Sequence, residues 1–131
     1  MSIVNVALSG LNAAQTRLAN SANNVANVQS TSSVVNGQEV KRAYQPTDVN
    51  QRSIEPTGGV ETSIRPRDPA TIPVYAPDSP SADENGIVEY PNVNLDEEVV
   101  QQQIASYDFK ANAKVLQTQD EIYQSLLDIT A

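Results

Sequence analysis

The abundant reactive groups in this chain are carboxylates, and the densest clusters are Asp83-Glu84 and Asp96-Glu97-Glu98. Adjacent acids can share a proton or hold a divalent cation. Neither cluster has the setting for that work. Asp83-Glu84 runs straight into the turn dipeptide Asn85-Gly86, and no glutamate follows at the distance that closes an EF-hand loop. Asp96, Glu97 and Glu98 follow Asn94, an N-cap residue, with Glu97 placed for a capping box. Their charge answers the positive end of a helix dipole and is expected to be solvated. Lys110 and Lys114 are spaced i, i+4, but no apolar pocket is at hand to lower a lysine pKa, so they read as an exposed pair near Asp108. The 131 residues contain no histidine and no cysteine, which excludes thiol nucleophiles, Cys/His zinc sites, disulfides and a serine triad. No G-x-S-x-G, G-x-G-x-x-G or phosphate-loop pattern occurs. An enzyme is therefore not expected, nor a metal, a cofactor or a small-molecule substrate.

The elements that carry these residues emerge from charge and proline. Sixteen acids against eight bases leave a net charge of -8, which argues against nucleic acid or an anionic membrane as partner. Residues 1–38 carry only Arg17, residues 39–77 are balanced, and residues 78–131 hold eleven acids and two bases. All eight prolines lie between Pro46 and Pro91, so both ends lack the strongest helix breaker. In the first end Val4, Leu11, Leu18 and Val25 recur every seven residues, with Leu8, Gln15 and Ala22 at the alternate position and Ala7 and Ala14 beside them. That is a coiled-coil stripe with small residues that allow close approach. Its other face carries Asn12, Thr16, Asn20, Asn23 and Asn27, amides and a hydroxyl that suit contact with protein better than lysine or glutamate would.

From Asn94 onward a second stripe runs Val100, Ile104, Tyr107, Ala111, Val115, Thr118, Ile122, Leu126 and Ile129. A helix of about 35 residues would be roughly 50 Å long, too long for a compact globule of this size, so a rod-like shape is expected. Between the helices, Val60, Thr62 and Ile64 alternate after Gly58-Gly59, and Thr71 to Tyr75 and Gly86 to Tyr90 are further strand candidates. Residues 28–57 read as loop or loosely held strand. The expected fold is mainly α, with long N- and C-terminal helices packed as a coiled coil around a small, irregular, β-containing middle. Its segments are 1–30, 31–92 and 93–131. With 39% apolar and 5% aromatic residues the core is thin for the length. The N-terminal helix alone is marginal in water, so neighbouring molecules are expected to order it. No run approaches the roughly 20 apolar residues of a membrane span. Met1-Ser2-Ile3-Val4-Asn5 lacks the basic and apolar regions of a secretory signal. The protein is thus expected either to stay in the cytoplasm or to leave by a route that reads something else.

Two motifs carry a family resemblance. Asn23, Asn24, Ala26 and Asn27, with Val25 at the leucine position, resemble the N-N-L-A-N motif of the flagellar axial proteins, although residues 28–33 lack the usual proline and glycine. Pro73 to Pro80, Ala82-Asp83, Gly86-Ile87-Val88 and Pro91-Asn92-Val93-Asn94, with Glu98 following, resemble the C-terminal half of FlgC-type proximal rod proteins. Ser79 stands at the usual histidine, Ile87 at the usual aromatic, Val99 at a frequent methionine and Phe109 at a tyrosine, while Asn112 is retained.

The resemblance implies a structural subunit of the bacterial flagellar basal-body rod. Such a subunit would be exported unfolded by the type III apparatus without a cleaved signal peptide. It would polymerise by its terminal helices into a hollow periplasmic shaft that transmits torque from motor to hook. Implied partners are copies of itself, other rod subunits and, during secretion, the export apparatus. Val4, Leu8, Leu11, Leu18 and Val25, with Ile104, Phe109, Val115, Ile122 and Leu126, would form the coiled coil within and between subunits. The nearly uncharged N-terminal helix is expected to be the more buried one in the assembly, and the acidic start of the second to face water or a basic neighbour. The alternatives are another rod or hook-type axial subunit, or a soluble helical export chaperone or adaptor, which would fold as a discrete oligomer.

Overall fold

The computed structural model describes residues 2–35 and 38–130, so the segment limits at residues 1 and 131 lie outside the described residues. Helix α1 spans Ile3–Ala26. It opens where the Ser2 hydroxyl accepts the Asn5 N–H at 3.3 Å, and closes at Asn27, whose N–H returns to the Asn23 carbonyl. Helix α2 spans the 36 residues Leu95–Thr130, about 54 Å at the helical rise per residue. The Asn94 Oδ1 accepts the Asp96 N–H at 3.0 Å, as an N-cap does. No described helix is long and apolar enough to cross a membrane.

The two helices run antiparallel, because Gly10 lies against Asn112, Arg17 reaches Asp108 and Gln101, and Ser21 meets Glu98. They pair along a different face from the expected stripe. The residues turned toward α2 are Ala7, Gly10, Ala14, Arg17, Ser21 and Asn24, a second heptad series one turn out of phase with Val4, Leu11 and Leu18. Small side chains let the backbones approach, and polar ones bond across the gap. The larger Val and Leu side chains of the first series would hold the helices farther apart.

The middle folds as three separate two-stranded antiparallel ribbons. Strands β1 (Ser33–Val35) and β2 (Gln38–Lys41) form the first, β3 (Thr47–Ser53) and β4 (Val60–Pro66) the second, β5 (Thr71–Tyr75) and β6 (Ile87–Pro91) the third. Strands β4, β5 and β6 coincide with the alternating segments of the sequence. The stretch read as loop or loosely held strand instead contains β1, β2 and the seven-residue β3. Strand β3, Thr-Asp-Val-Asn-Gln-Arg-Ser, has almost no apolar alternation, and what holds it is pairing from Thr47↔Pro66 to Ser53↔Val60. Gly58 and Gly59, at φ 75° and 99°, make the turn that pairing requires.

An isolated ribbon is marginal in water, and β3–β4 lies along α1. The Ser9 hydroxyl accepts the Val60 N–H at 3.0 Å, and Val6 sits beneath Gly58. The buried apolar core is small, consisting of Ala7, Ala13, Ala14, Ala43, Val88 and Ala105. This thin core leaves much of the organisation to polar contacts.

Candidate functional site

The seam between the helices is built from close approach and charge-assisted bonds. A Cβ at position 10 would stand 2.5 Å from Asn112 Oδ1, so glycine is what allows the Asn112 amide to lie flat on α1. Asn112 in turn donates to the Asp108 carbonyl at 2.8 Å. Arg17 donates to Asp108 Oδ2 and to Gln101 Oε1, both at 2.8 Å. Ser21 donates to the Glu98 carbonyl at 3.0 Å.

Where the seam meets the β middle, a polar node forms around Asn24, which is fully buried. Its Nδ2 donates to the Thr47 carbonyl and to Glu98 Oε1, each at 3.0 Å. Its Oδ1 accepts the Thr47 N–H at 3.2 Å and the Tyr44 hydroxyl at 3.1 Å. Both donors and both lone pairs of the amide are thus engaged. Asn24 grips the start of β3 as a neighbouring strand would, and Asn20 adds a second hold on the Thr47 carbonyl and hydroxyl.

Glu98, 2% exposed, is the buried acid of the node. A buried carboxylate is costly unless paired and hydrogen-bonded. Arg67, just beyond β4, supplies the pair with Nη2 at 3.0 Å, while also binding Asp48 at 2.6 Å and the Asn92 carbonyl at 2.9 Å. The Asp48 hydrogen bond holds the guanidinium even more firmly protonated, against the opposing effect of burial. Burial pushes the Tyr44 phenol up, and the Glu98 charge adds to it.

The family-motif residues divide by role. Asn24 is the centre of the node. Asn27 closes α1 by donating to the Asn23 carbonyl, and Asn23 and Ala26 are exposed. Asn92 donates to the Pro69 carbonyl, Pro91 is buried, Val93 is half-buried and Asn94 caps α2. Ala82, Asp83 and Gly86 form a separate turn in which the Asp83 carboxylate accepts the Asn85 and Ile87 N–H groups. Those bonds, from Ile87 first, draw its pKa down. Asn112 belongs to the seam.

The predicted assembly residues stay at the surface. Val4, Leu8, Leu18, Ile104, Phe109, Val115, Ile122 and Leu126 are 39 to 53% exposed, while Leu11 and Val25 are half-buried. Two readings of polar residues need correction. Glu98 is not solvated but buried against Arg67, and Asn20 bonds to its own chain. Asp48, Arg67, Tyr44 and Thr47 drew no attention in the sequence, because nothing in their spacing marks groups that meet across separate elements. The signal that could have found the node was Glu98 itself, an acid recurring one turn after the P-N-V-N motif. Beside the node a groove of about 960 Å³ opens between α2 and β3, with Asn20, Val49, Arg67 and Val100 among its walls.

The C-terminal part of the chain, residues 84–129, matches the family model of the flagellar basal body rod FlgEFG protein C-terminal region. The flagellar basal-body rod protein FlgC of Salmonella typhimurium is 35% identical over 120 residues, covering 90% of this chain and 88% of its own length. FlgC of Borreliella burgdorferi is 33% identical over 146 residues, covering 98% and 95%. The chain belongs to the FlgC family of flagellar basal-body rod proteins. Its role is that of a structural rod subunit in the flagellar basal body, working in assembly with other rod proteins and not as an enzyme. In a structural subunit the motif asparagines need no substrate, and the node explains what Asn24 does instead.

Proposed function

We propose that the exposed stripes of α1 and α2 are the contacts by which subunits join into a hollow shaft that carries torque from motor to hook. One observation supports this above the others. Both helices spend small and polar residues on each other and leave their largest apolar side chains, Leu8, Leu18, Ile104, Ile122 and Leu126 among them, on the outside. Apolar area of that extent and continuity marks an interaction surface. On this reading residues 1–30 and 93–131 act as the helical core, and residues 31–92 ride on it. The chain travels unfolded through the type III export apparatus to the periplasm without a cleaved signal peptide. A small core helps there, because a weakly stable monomer unfolds readily and is ordered by its neighbours.

The test is Leu11→Asp. Rod assembly and motility are expected to be abolished while expression is unchanged. A motile strain with complete rods carrying this change would remove the stripe from the interface.

A further inference from the structure

The stripes of α1 and α2 do not face the same way. At about 100° of rotation per residue, Ser9 and Asn20 lie roughly a quarter turn to one side of the α1 seam, and Leu8, Leu11 and Leu18 a quarter turn to the other. Ser9 and Asn20 hold β4 and β3, so the α1 stripe points away from the β middle. On α2 the seam runs through Glu98, Ala105 and Asn112, and Val100, Ile104 and Val115 lie roughly a quarter turn to one side of it. Val100 shares the groove with Asn20 and Val49, so the α2 stripe points toward the β middle. The two apolar faces therefore leave the helical hairpin on opposite sides.

We infer that the α1 stripe of one copy packs on the α2 stripe of a second copy, in a head-to-tail contact that cannot close on itself; this rests on the assembly reading above. Were both stripes on one side, two copies related by a two-fold axis could cover each other completely and stop as a dimer. With the stripes on opposite sides, covering one face of a subunit leaves its other face bare for the next. That is the geometry of open, heterologous growth.

Charge selects the same pairing. Placing α2 on α2 would bring together Asp96, Glu97, Asp108, Asp120, Glu121 and Asp128 with only Lys110 and Lys114 to offset them. Placing α1 on α1 avoids repulsion but leaves both α2 stripes in water. The face of α1 is the nearly uncharged surface on which an acidic α2 can sit. Length agrees as well. Antiparallel pairing of Gly10 with Asn112 sets Ile3 opposite Gln119, so residues 120–129, all exposed, run past the start of α1 with no in-chain helix beside them. A second copy displaced along the axis covers that overhang.

The experiment uses two doubly substituted full chains, Leu8→Asp with Leu18→Asp, and Ile104→Asp with Val115→Asp, compared with the unaltered chain by sedimentation across concentration. The unaltered chain is expected to associate without a fixed end point. Each variant alone is expected to stay monomeric, and the equimolar mixture to form a species of twice the monomer mass and no larger. Helicity of each variant equal to that of the dilute parent checks folding, with serine at the same positions where aspartate lowers it. A variant that still dimerises alone overturns the head-to-tail contact in favour of a two-fold one. A mixture that stays monomeric while the parent associates also overturns it, leaving the assembly reading intact. A parent that is monomeric at every concentration removes self-assembly itself.

Discussion

Along α1 two heptad series run side by side, Ala7, Ala14 and Ser21 against α2, and Val4, Leu11, Leu18 and Val25 toward the outside. The first joins parts of one chain with small side chains and directed polar bonds. The second offers large side chains and no polar partner. Polar bonds have fixed partners and specify one register, whereas apolar contact is roughly proportional to area and indifferent to direction. The subunit uses the specific kind where its own elements must find each other. It keeps the adhesive kind for surfaces that are covered when other copies arrive.

The comparison can be broken most forcefully at the node. Arg67→Met leaves Glu98 buried without its cation, and loss of one partner of a buried pair costs about 3–5 kcal/mol. Urea unfolding of the monomer is expected to shift by that amount, and adding Glu98→Gln to recover part of it. A shift below about 1 kcal/mol, the level of an exposed pair, would move the node from specific joint to decoration.

A smaller effect sharpens the seam. Gly10→Ala forces Asn112 off its place and is expected to cost about 1 kcal/mol through the lost bond to Asp108. Alanine's better helix propensity returns about as much, so the thermal midpoint should barely move. In an Asn112→Ala background the same change is expected to stabilise, by about 1 kcal/mol. Equal effects in the two backgrounds would show that Gly10 and Asn112 are not coupled.

The smallest effect asks whether a motif residue far from the helices is also an internal device. Asp83 titrates below the ordinary aspartate range because the Ile87 N–H, and then that of Asn85, stabilise its charged form. A folded-state pKa below the unfolded one gives stabilisation that is present above the unfolded value and lost as pH falls through the folded one. The Ile87 amide signal in NMR should therefore follow the Asp83 carboxyl titration in that acid window. An Ile87 amide that ignores the titration would separate the turn from its aspartate.

Much of this was legible in the sequence for physical reasons that also explain the misses. The start of α2 follows from Asn94 and the acids behind it. Strands β5 and β6 announce themselves through apolar, β-branched and turn residues. Strand β3 could not, since its polar residues are held by Asn20, Asn24 and β4 and not by a buried face of its own. Both heptad series were visible, but apolar size ranked Val4, Leu11 and Leu18 as the seam, whereas the in-chain contact depends on how closely two backbones can approach. The node was hidden because Asp48, Arg67 and Glu98 come from three elements that only the folded chain brings together.

The four-way engagement of Asn24 has a mechanical consequence. A shaft under twist loads the joint between its helices and whatever they carry, and apolar surfaces slide over one another at little cost. A joint of directed hydrogen bonds and ion pairs resists shear, because any slip stretches several bonds at once. Anchored at Thr47 by Asn20 and Asn24 and at Arg67 by Glu98, the β middle is fixed to the helices like a key set in a shaft, and turns with them.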